Sequence, residues 1–456
     1  MIYYKIYILS LGCSKNLIDT EIMSAALQAV GFIITSVEQE ADIIMVNTCA
    51  FILPAKEESI DEILRLAQWK THGSCTYLIV AGCLAQRYGR QLCREIPEVD
   101  LFLGINEVGH IVGHVQRLLQ GSPALTERTI TPPPSFLMTA QHKRHLATRF
   151  YQAYLKIAEG CSNRCSYCVI PSVRGPLRSR PLHDILTEAC ELADNGVREL
   201  IITAQDTSAY GYDLTGYPLL PNLLKKLAAI PRFQWIRLMY TYPEELTDDL
   251  FGVIATEEKI CPYIDIPIQH IDDEILAAMN RRGNSQTIRK HLEQARRIIP
   301  ELALRTSLIV GFPGETQKKF KTLLSFVEDI RFDHLGVFIY SPEEGTPAIG
   351  LPHHVGEKTK RKRRAQVMET QALISLDINR SLISSVQEVL VEGKSDLEDY
   401  PYIGRCRRQA PDIDGITYLQ GTNLQEGDFV KARIAAADEY DLFAIAEENC
   451  LSRTEA

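Results

Sequence analysis

Three stretches of the chain each carry their own rhythm of apolar and polar positions. Up to about residue 120, apolar runs at 5–11, 42–46 and 77–81 alternate with segments 19–30 and 55–69, whose apolar positions recur at helical spacing. Buried strands alternating with amphipathic helices predict a doubly wound parallel sheet, whose strand carboxyl ends share one ligand-binding edge. Between 151 and 380, six strand candidates at 153–158, 199–203, 235–240, 263–268, 303–310 and 335–340 are separated by helical stretches. That pattern predicts a partial (β/α)6 barrel with its working residues at the strands' carboxyl ends. Five short strands at 386–391, 401–407, 415–419, 429–434 and 440–446 predict a small antiparallel β-barrel. Residues 121–150, with Pro132-Pro-Pro134 and little periodicity, read as a linker. The expected organisation is an α/β protein with domains 1–120, 151–383 and 384–456, the linker lying between the first two.

Chemistry clusters at the predicted strand ends. Cys161, Cys165 and Cys168 follow the first central strand at C-x3-C-x2-C spacing. Three thiolates on a four-iron cubane leave one iron open to a further ligand. A zinc knuckle or three buried thiols are the plainer alternatives, although a zinc site wants a fourth ligand and no further Cys or His lies close by. Cys13, Cys49 and Cys83 each sit just beyond a predicted strand of the first segment, so they converge on one edge as a second three-thiolate site or remain ordinary buried cysteines. Cys75, Cys93, Cys190, Cys261, Cys406 and Cys450 show no such regularity. The turn Gly311-Phe-Pro-Gly314 follows the fifth central strand, where bare backbone suits a ligand, though such a turn needs none. His270, after the fourth, reads as a base or as a hydrogen-bonded structural residue. The run Lys358-Thr-Lys-Arg-Lys-Arg-Arg364 reads as a solvated helix face, with an RNA or ribosome contact behind it.

Composition narrows the setting. Twelve cysteines in 456 residues, six of them in ordered sets, favour a reducing cytoplasm and metal–sulfur chemistry over a disulfide scaffold. The amino terminus superficially resembles a lipoprotein signal, but Ser10 stands where the cleavage box wants Leu, so a buried strand is expected. No apolar run reaches a membrane span's length. The net charge is −9, and residues 385–456 hold 15 Asp and Glu against 7 Lys and Arg.

Together the six cysteines and three segments resemble the radical S-adenosylmethionine (SAM) methylthiotransferases over nearly the whole chain. The resemblance implies an auxiliary 4Fe-4S cluster on Cys13, Cys49 and Cys83, a SAM-binding 4Fe-4S cluster on Cys161, Cys165 and Cys168, and a terminal barrel of the TRAM kind. Tyr167 belongs to the same pattern, and strand position adds Gly311 and Gly314 as SAM contacts. One branch of the family acts on adenosine 37 of transfer RNA and another on a small-subunit ribosomal protein. Gly12-Cys-Ser-Lys-Asn16, Phe51-Ile-Leu-Pro-Ala-Lys-Glu-Glu-Ser59, Ala204-Gln-Asp-Thr-Ser-Ala-Tyr-Gly211, Pro267-Ile-Gln-His270 and Ser341-Pro-Glu-Glu-Gly-Thr-Pro347 are similar to the second branch. Ala50, before Phe51, stands where the family usually has glycine beside Cys49. The implied reaction is methylthiolation of an aspartate β-carbon in small-subunit ribosomal protein twelve, with a reducing partner such as flavodoxin or ferredoxin, no membrane, and any RNA contact secondary. An acidic barrel suits a basic protein better than a polyanion. The alternatives are the same chemistry on transfer RNA and a non-catalytic iron–sulfur or zinc protein that docks on ribosomes. Since every implied ligand precedes residue 170, deletion of 385–456 is expected to spare both clusters.

Overall fold

A computed structural model describes residues 4–121 and 128–447, so Cys450 lies outside the described residues. The first sheet contains β1 (Lys5–Ser10), β2 (Ile33–Thr35), β3 (Ile43–Thr48), β4 (Tyr77–Gly82), β5 (Leu101–Leu103) and β6 (Thr129–Ile130). They run parallel in the order β2-β1-β3-β4-β5-β6. Every residue of β3 is buried because apolar clusters cover both faces. Ile44, Val46, Ile63, Leu66, Leu78 and Val80 pack on one side, and Ile18, Ile22, Met45, Ile79 and Val115 on the other, as a doubly wound sheet requires. The sequence pattern missed β2, β5 and β6, which are two or three residues long. Strand β6 falls in the expected linker: Phe102 N–H donates to the Arg128 carbonyl and Gly104 N–H to that of Ile130. That stretch therefore completes the first sheet's edge.

The central segment begins with β7 (Gln152–Lys156) and a short antiparallel pair, β8 (Ala158–Glu159) and β9 (Arg178–Ser179). It continues through β10 (Glu199–Thr203), β11 (Trp235–Leu238), β12 (Ile260–Asp265), β13 (Ala303–Val310) and β14 (His334–Ile339). The six long strands pair in the parallel order β14-β13-β12-β11-β10-β7, an unclosed (β/α)6 barrel.

The last five strands, β15 (Val386–Lys394), β16 (Tyr402–Cys406), β17 (Thr417–Gln420), β18 (Phe429–Ala437) and β19 (Leu442–Ala446), close into a barrel. Four pairings are antiparallel and β17–β19 is parallel. A ring of five strands cannot alternate direction throughout, so one pair departs from the antiparallel expectation. This barrel seats against the amino ends of the central strands. Tyr151, Ile201, Trp235, Tyr263 and Ala303 share one apolar cluster with Leu390 and Ala410. Glu199 accepts from Arg237 and from Arg405 at 3.0 and 2.6 Å, Glu388 accepts from Trp235 Nε1 at 2.6 Å, and Asp414 accepts from Tyr263 Oη at 2.8 Å. The barrel therefore also supports the central fold: deleting it would open this core cluster and remove Arg405, one of the two guanidinium partners of Glu199. It also follows that Glu388, Glu392 and Asp414 face inward partners, whereas Asp396, Glu398, Asp399, Asp438 and Glu439 are exposed.

Candidate functional site

The first cysteine set stands at the carboxyl edge of the first sheet. Cys13 caps the helix Ser14–Ala29 and Cys83 opens the helix Cys83–Glu95, positions that favour a thiolate. Gly12 has φ +90°, and a Cβ there would lie 2.7 Å from the Cys49 Cβ, so only glycine lets the two strand ends approach. Cys49 is anchored through its backbone: its N–H donates to Ser59 Oγ at 3.1 Å, and Ser59 Oγ donates to its carbonyl at 2.9 Å. Ala50, in place of glycine, is buried and its carbonyl accepts from Arg87 at 2.7 Å, while the Phe51 N–H faces the Cys49 sulfur. Burial, then the Cys83 and Cys13 sulfurs, push the Cys49 thiol up to about 12. Burial acts the same way on Cys13, but Lys15, Arg174 and the N–H groups of Asn16 and Lys15 hold its thiol below the ordinary value.

The second set follows β8. Cys161 N–H donates to the Gly175 carbonyl at 3.0 Å, while N–H groups of Asn163 and Ile170 face the Cys161 and Cys168 sulfurs. Burial and the neighbouring Asp206 carboxylate raise Cys161 to about 11, and burial raises Cys168 to about 12. Among the described residues no three His, Cys, Asp or Glu gather closely enough for a single metal ion. A cubane instead spreads three thiolates over three irons. Cys49, Cys161 and Cys168, raised by burial yet each faced by a backbone N–H, fit such a cluster, whose iron charge stabilises thiolate. Tyr167 packs edge-on to Phe312, and Arg281 Nη1 donates to its hydroxyl at 3.3 Å. A Cβ on Gly311 would meet Lys360 Cγ at 2.2 Å, so a packed lysine accounts for that glycine; Gly314 faces open space. A cleft of ≈ 530 Å³ opens beside Cys161, lined by Asn163, Asp206, Tyr242, Glu245 and Arg282 among others. Tyr167, Gly311 and Gly314 are not in its lining.

A buried ionic lattice ties the first set to the segments on either side of the second. Arg174, beyond the second set, pairs with Asp19 at 2.8 Å and Glu159 at 3.2 Å, and its Nη2 lies 3.5 Å from Cys83 Sγ. Lys156 pairs with the same two carboxylates at 2.6 and 2.9 Å. Ser14 Oγ lies 3.1 Å from Thr203 Oγ1, at the mouth of the central barrel. Behind this lattice Glu343 takes Lys56 at 2.7 Å and Arg87 at 3.1 Å, joining two motifs distant in sequence.

Comparison with known proteins fits this geometry. Residues 5–104 match the model described as Uncharacterized protein family UPF0004, 155–327 the Radical SAM superfamily, and 383–446 the TRAM domain. The protein named ribosomal protein uS12 methylthiotransferase RimO from Syntrophus aciditrophicus is 61% identical over 441 residues, covering 96% of this chain and 97% of its own length. The chain belongs to the RimO methylthiotransferase family. RimO of Geobacter sulfurreducens is 50% identical over 438 residues, again with 96% and 97% coverage. In fold, the chain resembles the radical SAM methyltransferase TsrM of Kitasatospora setae, with TM-score 0.55 and 12% identity over 85% of this chain and 77% of that one.

Within this RimO relative, the sequence singled out the cysteines but not Lys15, Asp19, Lys156, Glu159 and Arg174, each of which has a partner far away along the chain. The basic run is corrected in part. Lys360 is buried and donates to the Tyr340 carbonyl at 2.9 Å, and Arg363 is buried on Glu315, also at 2.9 Å. Only Lys358, Arg361, Lys362 and Arg364 are exposed. His270 is fully buried with Nδ1 accepting from Asp272 N–H at 3.0 Å, and burial pushes its imidazole down to about 3, a neutral structural residue rather than a base.

Proposed function

We propose that this chain adds a methylthio group to the β-carbon of an aspartate in ribosomal protein uS12. The observation that carries the reading is a pair of three-cysteine sets, the first tied through Cys83 to Arg174 in the segment just beyond the second. Cys161, Cys165 and Cys168 hold the SAM-binding cluster, and Cys13, Cys49 and Cys83 hold the auxiliary one. When bound, these groups supply a hydrogen-abstracting radical from SAM and the sulfur that meets the substrate carbon. The chain's own part is positional. Backbone N–H groups hold the thiolates, Arg174 places positive charge beside Cys83, and buried walls exclude water from the reacting carbon. The cleft beside Cys161 has room for one SAM-sized molecule. Exposed acids on the terminal barrel recruit a basic protein and repel transfer RNA. The enzyme works in the cytoplasm with a low-potential electron donor of the flavodoxin or ferredoxin class; no described helix is long and apolar enough to cross a membrane. Mass spectrometry of uS12 and transfer RNA from a deletion strain tests the reading. Loss of the methylthio mass from uS12, restored by the gene, supports it; loss from transfer RNA instead overturns it.

A further inference from the structure

We propose that Lys15 is the receptor for the carboxylate of the substrate side chain. The inference rests on the aspartate reading above and assigns the group that grips that aspartate. Lys15 is only 7% exposed. Among the described residues its ammonium makes no hydrogen bond and no ion pair, and its one ring partner is Tyr240, at 3.3 Å from the ring centre. The neighbouring cations differ: Lys156 and Arg174 each have both Asp19 and Glu159. Lys15 is therefore the cation at the junction between the two cysteine sets that, among the described residues, has no carboxylate partner. Its charge also acts on the Cys13 sulfur, which would be an iron ligand in a bound cluster rather than a hydrogen-bonded partner.

The ring beneath it is held there at a cost. Tyr240 has φ +60°, a left-handed conformation costly for an aromatic residue. Its N–H donates to Asp265 Oδ2 at 3.1 Å, and its carbonyl accepts from Thr207 N–H at 2.9 Å and Oγ1 at 3.0 Å. Strain so firmly fixed keeps one face of Lys15 on the ring and leaves its remaining N–H donors for a ligand. A buried ammonium without a counter-ion is unfavourable, and an entering anion relieves that. The partner sites narrow the anion further. Lys15 is two residues from Cys13, and Ser14 beside it touches Thr203 at the barrel mouth, so an anion on Lys15 sits where sulfur and radical chemistry meet. An aspartate carboxylate is one bond from the β-carbon, so gripping it also fixes the C–H bond to be broken. A neutral nucleobase offers Lys15 acceptors but no negative charge.

The test uses cluster-loaded parent, Lys15→Met and Lys15→Arg enzymes, with uS12 and with uS12 whose target aspartate is replaced by asparagine. Iron content and cluster spectra establish that each variant is loaded. Lys15→Met is expected to raise KM for uS12 by about 30-fold or more, and Lys15→Arg to recover part of that. In competition binding, the parent should prefer the aspartate protein over the asparagine protein, and loaded Lys15→Met should show no preference. A loaded Lys15→Met enzyme that keeps the parent's preference overturns the assignment, as does one whose cluster spectra shift while uS12 binding is unchanged. Should Lys15→Met fail to load, Lys15→Gln takes its place in the same comparison. A parent that binds and modifies only transfer RNA overturns the aspartate reading itself, a result distinct from either of these.

Discussion

Glu199→Gln measures how firmly the acidic barrel is tied to the catalytic one. Glu199 is fully buried and accepts from Arg405 at 2.6 and 3.3 Å and from Arg237 at 3.0 Å. Both guanidinium groups are buried as well. An amide keeps one acceptor but turns a donor toward two cations; Arg405 keeps Glu392, whereas Arg237 loses its carboxylate, so the substitution should cost about 3–5 kcal/mol. The pH dependence fixes the cause. Burial alone would raise the Glu199 carboxyl, but Arg405 and Arg237 hold it below the usual range. A depressed native value contributes stability that is present above the unfolded value near about 4.3 and lost as pH falls through the native one. The gap between parent and variant should be constant above about pH 5 and shrink in acid. Trp235 reports the transition, since its Nε1 donates to Glu388 and its ring meets Phe429 edge-on at 4.9 Å. Urea titration followed by tryptophan emission, in a Trp69→Phe background, reads both quantities. An unchanged midpoint, or a gap that widens in acid, refutes the argument.

Cys161→Ala should lose one cluster and with it SAM cleavage to 5′-deoxyadenosine, whereas Cys49→Ala should lose the other cluster and keep uncoupled cleavage; unchanged iron in Cys49→Ala defeats the convergence of strand ends. His270 stays neutral in the fold because burial, then Lys319 and Arg363, hold it down to about 3. The unfolded chain therefore takes up its proton first, and the parent should lose about 2 kcal/mol between about pH 6.5 and 5, a slope that His270→Gln flattens in denaturation curves. Reversing Asp396, Glu398 and Asp399 to lysine should slow uS12 modification most at low salt, and added salt should narrow the difference; a salt-independent effect defeats the recruitment argument. Asp441 is unsuited to this test because its Oδ1 accepts from Ile416 N–H at 2.9 Å and holds a barrel turn.

The long buried strands were legible because burial on both faces leaves an apolar run that no other local structure requires, and Ala303–Val310 has the expected ends. Strands β2, β5 and β6 were not legible, because two or three residues carry no period and take their conformation from the neighbour they pair with. The cysteines were legible for a related reason. A residue placed just past a strand end inherits its position from the strand, so finding the strand locates the sulfur. The parallel β17–β19 pair follows from counting five strands around a closed ring, a constraint on the whole barrel that no single strand's sequence expresses.

The ionic lattice obeys a different logic. Lys156 lies 137 residues from Asp19, and Arg174 lies 91 residues from Cys83. In the sequence each reads as an ordinary charge, because solvation is the default for lysine and arginine. Only docking of the first sheet onto the mouth of the central barrel brings them together. Once there, the charges are too deeply buried to be tolerated unpaired. Asp19 and Glu159 therefore do two things at once: they compensate Lys156 and Arg174, and through Arg174 they hold the Cys83 edge against the loop that carries Cys161. Weakening either carboxylate should thus loosen the relation between the two cysteine sets before it disturbs either set alone. Lys15 is the cation at this junction for which the chain supplies no carboxylate, and that imbalance is what distinguishes a binding position from a structural one.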